Sequence, residues 1–231
     1  MVELDTVFFP EDSEFLLLDI GPGAGGLAEH YGQHRRVVTV ERDEQLAREV
    51  AKRSTPWQLS SCRGTGDALP LRSASVDGVI ALEVLEHVED PDAILADAWR
   101  VLKPNGALCI AVPTGYTEAV YSRLHPRYMS NATHVRIFKK KDLLGRIEEQ
   151  GFSVARVSAE HFEPAVAWFF YSILRAEADH TGIVLDHPGV APRVTRVVSR
   201  LDRTRGLSRV VARARRHFGK SRYVYAIKQD G

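Results

Sequence analysis

Four residues of this chain have the types and spacing to hold a divalent metal ion. Glu83, Glu86 and His87 stand at i, i+3 and i+4, so a helical turn there would put all three on one face. His134 lies in a segment expected to fold over the same strand ends. Two carboxylates and two imidazoles suit a divalent ion such as Mg²⁺, with open positions for further oxygens. Without a metal, His134 and His87 are the best general bases, because imidazole titrates near neutrality. A second group is Asp19-Ile20-Gly21-Pro22-Gly23-Ala24-Gly25-Gly26, where glycines permit a tight turn and a close approach of backbone to ligand. Gly21, Gly23 and Gly26 also satisfy G-x-G-x-x-G, so a dinucleotide such as NAD must be weighed. Glu41 closes the next apolar run, where a carboxylate can accept both hydroxyls of a ribose.

These residues need a scaffold that gathers loop ends. Apolar runs over residues 15–20, 37–40, Val76–Leu82 and 107–112 read as strands. Helical patterns begin at Gly26, run from Glu44 to about Arg53, and cover residues 93–102 before the stop Lys103-Pro104-Asn105-Gly106. Near-continuous apolar strands separated by helices imply an α/β fold with a mostly parallel sheet covered on both faces. A helix over residues 141–150 and strands over 152–157 and 223–228 bring the sheet to about seven strands, with a helical insertion before the last.

At 231 residues the chain has the size of one large domain, and its 44% hydrophobic and 26% charged residues exclude collagen-like, coiled-coil and wholly disordered readings. Two cysteines, Cys62 and Cys109, argue against a disulfide scaffold or a four-cysteine zinc module. No apolar run approaches a membrane span, and the acidic start is unlike a signal peptide, so the expected location is cytoplasmic. The net charge of +1 conceals an asymmetry: residues 193–222 hold eleven Arg and Lys against the single acid Asp202.

The motifs, taken in order, make a more specific pattern. Asp19-Ile20-Gly21-Pro22-Gly23-Ala24-Gly25 resembles D-x-G-x-G-x-G, and Gly66-Asp67-Ala68-Leu69-Pro70 is similar to G-D-x-x-x-L-P with two residues fewer. Glu83-Val84-Leu85-Glu86-His87 and Arg100-Val101-Leu102-Lys103-Pro104-Asn105-Gly106 resemble E-V-L-E-H and R-V-L-K-P-x-G. As a set, over residues 15–114, they resemble class I S-adenosylmethionine-dependent methyltransferases, which implies a Rossmann-like sheet. The resemblance further implies that Asp19, Gly21, Gly23 and Gly25 line the methionine part of the cofactor. Glu41 would hold the ribose, Asp67 and Ala68 would meet the adenine, and Leu82 and Glu83 would sit beside the sulfonium. The set Glu83, Glu86, His87 and His134 is similar to the E-x-x-E-H plus distant His of metal-dependent relatives acting on vicinal diols, such as ribose 2′-O-methyltransferases of small RNAs and ubiquinone-biosynthesis O-methyltransferases.

Only about fourteen residues precede the first strand, so one domain over residues 1–231 is expected to take its acceptor cover from residues 113–138 and 159–221, with the last strand over 222–229. Trp168, Phe169, Phe170 and Tyr171 are consecutive and cannot all face one core from one helix. Two basic amphipathic stretches follow, with Val194, Val197, Val198 and Leu201 in the first and Leu207, Val210, Val211 and Ala214 in the second. Such helices fit an anionic membrane surface and a lipid-linked acceptor. Few aromatics interleave the basic residues, which places nucleic acid behind lipid. The expected activity is O-methylation of a small or lipid-linked hydroxyl acceptor, a sugar or quinol-like ring. Ribose methylation at an RNA end, N- or C-methylation of a metabolite, and a non-catalytic binding module are the alternatives.

Overall fold

The computed structural model of the protein describes residues 4–53, 58–124, 134–160 and 219–229. Seven strands form one sheet: β1 (Leu16–Ile20), β2 (Arg36–Glu41), β3 (Leu59–Arg63), β4 (Val76–Leu82), β5 (Leu102–Pro113), β6 (Phe152–Glu160) and β7 (Ser221–Lys228). Their order is β3-β2-β1-β4-β5-β7-β6, and the pairs β1–β2, β2–β3, β1–β4 and β4–β5 are parallel. This is the mostly parallel sheet that the alternation of apolar runs implies and the Rossmann-like order that the resemblance implies. Leu17, Leu18, Val79, Ile80 and Leu108 are fully buried, as strands covered on both faces require.

Helices α1 (Gly26–Tyr31), α2 (Glu44–Arg53), α3 (Pro91–Val101), α4 (Gly115–Leu124) and α5 (Lys140–Glu149) connect the strands. Asp90 caps α3 by accepting the N–H groups of Asp92 and Ala93, and Pro91 occupies the first turn, where its missing N–H costs nothing. The stop at Lys103-Pro104-Asn105-Gly106 ends α3 as expected but does not delay the next strand. Leu102 already pairs with Val76, the register shifts, and Ala107 resumes opposite Gly78. Asn105 absorbs the kink at φ 59°. The turn is thus folded into a bulged strand instead of standing as a loop.

The chain divides into two compact units: residues 1–111, 140–157 and 224–231 in the first, and 112–139 and 158–223 in the second. The bounds of the second unit lie within two residues of the segments 113–138 and 159–221. The aromatic cluster Trp168–Tyr171 and almost all of the basic tract lie outside the described residues. Ser221 and Arg222, at the end of that tract, belong to β7.

Strand register decides where the site lies. Ile20 pairs with Val40 on one side and Ala81 on the other, Glu41 pairs with Arg63, and Leu82 with Ala111, so the carboxyl ends of β1 to β5 form one rim. β1 and β4 are neighbours there although β2 and β3 lie between them in sequence. That reversal of strand order is the switch point at which open α/β sheets bind ligands.

Candidate functional site

After β1 the chain leaves the sheet in a turn that only glycine tolerates. Gly21, Gly23 and Gly25 have φ of 67°, 55° and 78°, in the left-handed region. The Gly21 N–H donates to Val40 O at 2.9 Å, and Gly25 N–H to Pro22 O at 3.0 Å. A Cβ on Gly25 would lie 2.5 Å from Val50 Cγ2, and one on Gly21 2.9 Å from Val84 Cγ2, so the loop is pressed against α2 and against the segment after β4. At Gly23 a Cβ would meet nothing within 4 Å, which leaves the middle of the loop open to a ligand. Gly25→Ala is expected to cost about 2–4 kcal/mol, combining the positive φ with overpacking. Urea denaturation checks it, and Val50→Ala in the same chain should return part of the loss.

Glu41 adds a side-chain tie between this loop and β2. Its carboxylate is only 6% exposed and accepts Gly23 N–H at 3.2 Å on Oε2 and Asp43 N–H at 2.9 Å on Oε1. Asp43 in turn caps α2 by accepting Leu46 N–H at 2.9 Å. Each carboxylate oxygen still has lone-pair capacity beyond the single N–H it accepts, so the group can take a ribose diol without giving up the loop.

Asp19 lies beneath the loop, 4% exposed, and does not present its carboxylate at the surface. Burial, and secondarily the charge of Glu41, pushes this carboxyl up to about 8, so it is largely protonated at neutral pH. The folded state therefore keeps a proton that the unfolded chain releases near 3.8. This contribution to stability is complete at acidic pH and is lost as pH rises through about 8. Asn cannot titrate, so the melting temperature of Asp19→Asn relative to wild type should climb steadily between pH 5 and pH 8.5. A pH-independent difference in calorimetry would contradict the assignment.

Asp67 and Ala68 stand at an exposed turn closed by a bridge between Thr65 and Ala68. Gly66 fits this turn against β1 and α3, since a Cβ there would be 2.9 Å from Ile20 Cγ2 and 3.2 Å from Ile94 Cδ1. At the end of β4, Leu82 is half-buried and Glu83 turns the chain at φ 57°, its N–H donating to Ala111 O at 2.9 Å. The first unit thus brings Gly21, Gly23, Gly25, Glu41, the Asp67–Ala68 turn, Leu82 and Glu83 to the rim of β1 to β4.

The expected helical face of Glu83, Glu86 and His87 does not form. A short 3₁₀ turn covers only Leu85–His87, and Glu83 lies outside it in the left-handed region, so helical spacing does not relate Glu83 to the other two. Glu86 is 1% exposed and its Oε1 is 3.8 Å from His87 Nε2. His134 belongs to the second unit, where its Nδ1 lies 3.1 Å from Oε2 of the buried Glu118 on α4. Thr114 precedes that helix and its hydroxyl accepts Thr117 N–H at 3.3 Å. Glu118 and Asp43 escape the sequence reading because their roles depend on partners that no motif marks.

A rim built from a glycine loop after β1, an acid at the end of β2 and an exposed turn after β3, on a sheet of this order, fits a class I S-adenosylmethionine-dependent methyltransferase domain. Residues 18–110 match the methyltransferase domain family. The chain is 30% identical over 135 residues to a Mycolicibacterium smegmatis protein described as a "Probable S-adenosylmethionine-dependent methyltransferase", covering 56% of this chain and 50% of that one. It is 24% identical over 159 residues to a ubiquinone biosynthesis O-methyltransferase of Coxiella burnetii, covering 64% and 68%. The chain spans 40% and 50% of the lengths of the first curated relatives that it matches. Among solved structures it is similar in fold to Haemonchus contortus phosphoethanolamine N-methyltransferase 2 in complex with S-adenosyl-L-methionine, with a TM-score of 0.61 and 18% identity over 97% of this chain and 51% of that one.

Proposed function

We propose that this chain uses S-adenosylmethionine to methylate a hydroxyl oxygen of a small or lipid-linked acceptor, a sugar or quinol-like ring. The observation that carries the cofactor reading is the Glu41 carboxylate, tied to Gly23 and Asp43 and set beside the open middle of the glycine loop. The donor set fits an adenosyl ligand: a diol acceptor, a loop with room for close approach, and an exposed turn for the base. When bound, S-adenosylmethionine supplies a methyl group already activated by its sulfonium charge, so the protein's task is alignment and proton removal.

O-methylation is favoured by the likeness to a ubiquinone biosynthesis O-methyltransferase and by the pairing of His134 with Glu118. Glu118 holds Nδ1 as the protonated nitrogen, and Nε2 then takes the proton of the acceptor hydroxyl. The metal reading of Glu83, Glu86, His87 and His134 keeps its chemical rationale, since an ion would lower the hydroxyl's pKa. A lipid-linked acceptor rests on the charge pattern of residues 193–222. Among the described residues, no helix is long and apolar enough to cross a membrane.

Calorimetry with S-adenosylhomocysteine and NAD tests the reading. Micromolar-range binding of the first and much weaker binding of the second are expected; the reverse preference would overturn it. Turnover of S-adenosylmethionine to S-adenosylhomocysteine with any acceptor would exclude a non-catalytic binding module.

A further inference from the structure

The segment from Leu69 to Ser75 has no strand of its own, and its backbone groups find their partners on the last turn of α3. Asp97 Oδ2 accepts Leu69 N–H at 2.6 Å. Arg100 Nη2 donates to Leu69 O at 3.0 Å, and Nη1 to Leu71 O at 2.8 Å. The two side chains also hold each other, with Arg100 Nε 2.5 Å from Asp97 Oδ1 and Nη2 2.9 Å from Oδ2. Two backbone bonds extend the seam, from Ala74 N–H to Arg100 O at 2.9 Å and from Ser75 N–H to Val101 O at 2.8 Å. Burial alone would raise the Asp97 carboxyl, but Arg100 and the Leu69 N–H outweigh it and hold the group below its ordinary range.

α3 is itself fixed at both ends. Asp90 caps its start, and Arg146 of α5 pairs with Asp92. At its far end the buried Lys228 of β7 donates to Trp99 O at 2.8 Å and Leu102 O at 2.7 Å while lying 3.8 Å from the centre of the Trp99 ring. The Asp97–Arg100 pair therefore grips the loop from a stationary platform. What it grips begins one residue after the exposed Asp67–Ala68 turn, whose other flank is seated by Gly66 against Ile20 and Ile94.

We propose that Asp97 and Arg100 are positioning residues for purine recognition: by fixing the backbone from Leu69 to Leu71 they hold Asp67 and Ala68 in the one arrangement that meets an adenine edge, and so set the preference for adenine over a 6-oxo purine. The inference rests on the adenosyl-cofactor reading above. The residue types matter, because a planar guanidinium donates to two carbonyls and a carboxylate at once, which an ammonium cannot do from the same place. A polar site whose donors and acceptors are held rigidly rejects a mismatched ligand strongly, and one that can shift does not.

The test compares the affinities of S-adenosylhomocysteine and S-inosylhomocysteine by calorimetry in wild type, Arg100→Lys and Asp97→Ala. Wild type should favour the adenosyl ligand, and both variants should lower that ratio by about tenfold, with Lys giving no rescue. An equal loss for both ligands, as simple destabilisation would produce, or full rescue by Lys, would overturn the proposal. Wild type that binds neither ligand would remove the cofactor reading, and this inference with it. A measurement on the unaltered protein guards against variants that do not fold. The Leu69 amide should exchange slowly without ligand and no more slowly with S-adenosylhomocysteine; fast exchange that only the ligand slows would show that Asp97 does not preset the loop.

Discussion

Glu41→Ala should weaken binding of S-adenosylhomocysteine by roughly 10- to 100-fold, the cost of removing hydrogen bonds to a charged group. The expected loss exceeds that of an ordinary ligand contact because the same carboxylate holds Gly23 N–H and Asp43 N–H. Its removal leaves the loop tied to β2 only through Gly21 N–H to Val40 O and deprives the Gly23 and Asp43 N–H groups of their acceptor. Glu41→Gln should fall between, since the amide keeps one acceptor oxygen but turns an NH₂ toward a backbone donor. Titration calorimetry reads both effects, and amide exchange at Gly23 should rise in the alanine variant. An unchanged dissociation constant would mean that the end of β2 does not meet the ligand.

His134→Ala should lower kcat by about 10²- to 10⁴-fold, the range for removing a general base, while the dissociation constant for S-adenosylhomocysteine stays near the wild-type value. Glu118→Gln should cost less, because the imidazole remains and only its fixed orientation and tautomer are lost. Chelation separates the two roles open to His134. Activity that survives excess EDTA yet falls in His134→Ala assigns the proton-accepting role, whereas loss in both, with recovery on adding Mg²⁺ or Mn²⁺, assigns a metal ligand. Full activity in the alanine variant would exclude both.

Much of the fold was legible because its determinants are local. Each of the runs 15–20, 37–40 and Val76–Leu82 is β-branched or apolar and is bounded by glycine or charge, and each forms a strand within one or two residues of its expected bounds. The glycine loop was legible for the same reason: three positive-φ positions within five residues are a property of the backbone alone. Glu41 could be read because it closes an apolar run and so stands at a strand end, whereas the Asp67–Ala68 turn was marked only by the motif resemblance.

What required the tertiary structure was every role set by a partner far along the chain. Helical spacing suggested one face for Glu83, Glu86 and His87, but the N–H of Glu83 is claimed by Ala111 O, twenty-eight residues away, and the chain turns before a helix can start. No motif shows that Asp19 is buried beside Glu41, where its carboxyl keeps a proton near neutrality. Asp97 and Arg100 look like an ordinary i, i+3 pair on a helix surface until the fold brings Leu69 and Leu71 across from them. By itself, then, the sequence determined the strands, the glycine turn and the rim they share, since these follow from each residue's own backbone preference and hydrophobicity. Which side chains would be buried, charged or employed as clamps was decided only when segments distant in sequence packed together, because desolvation and hydrogen-bond partnership do not exist until they do.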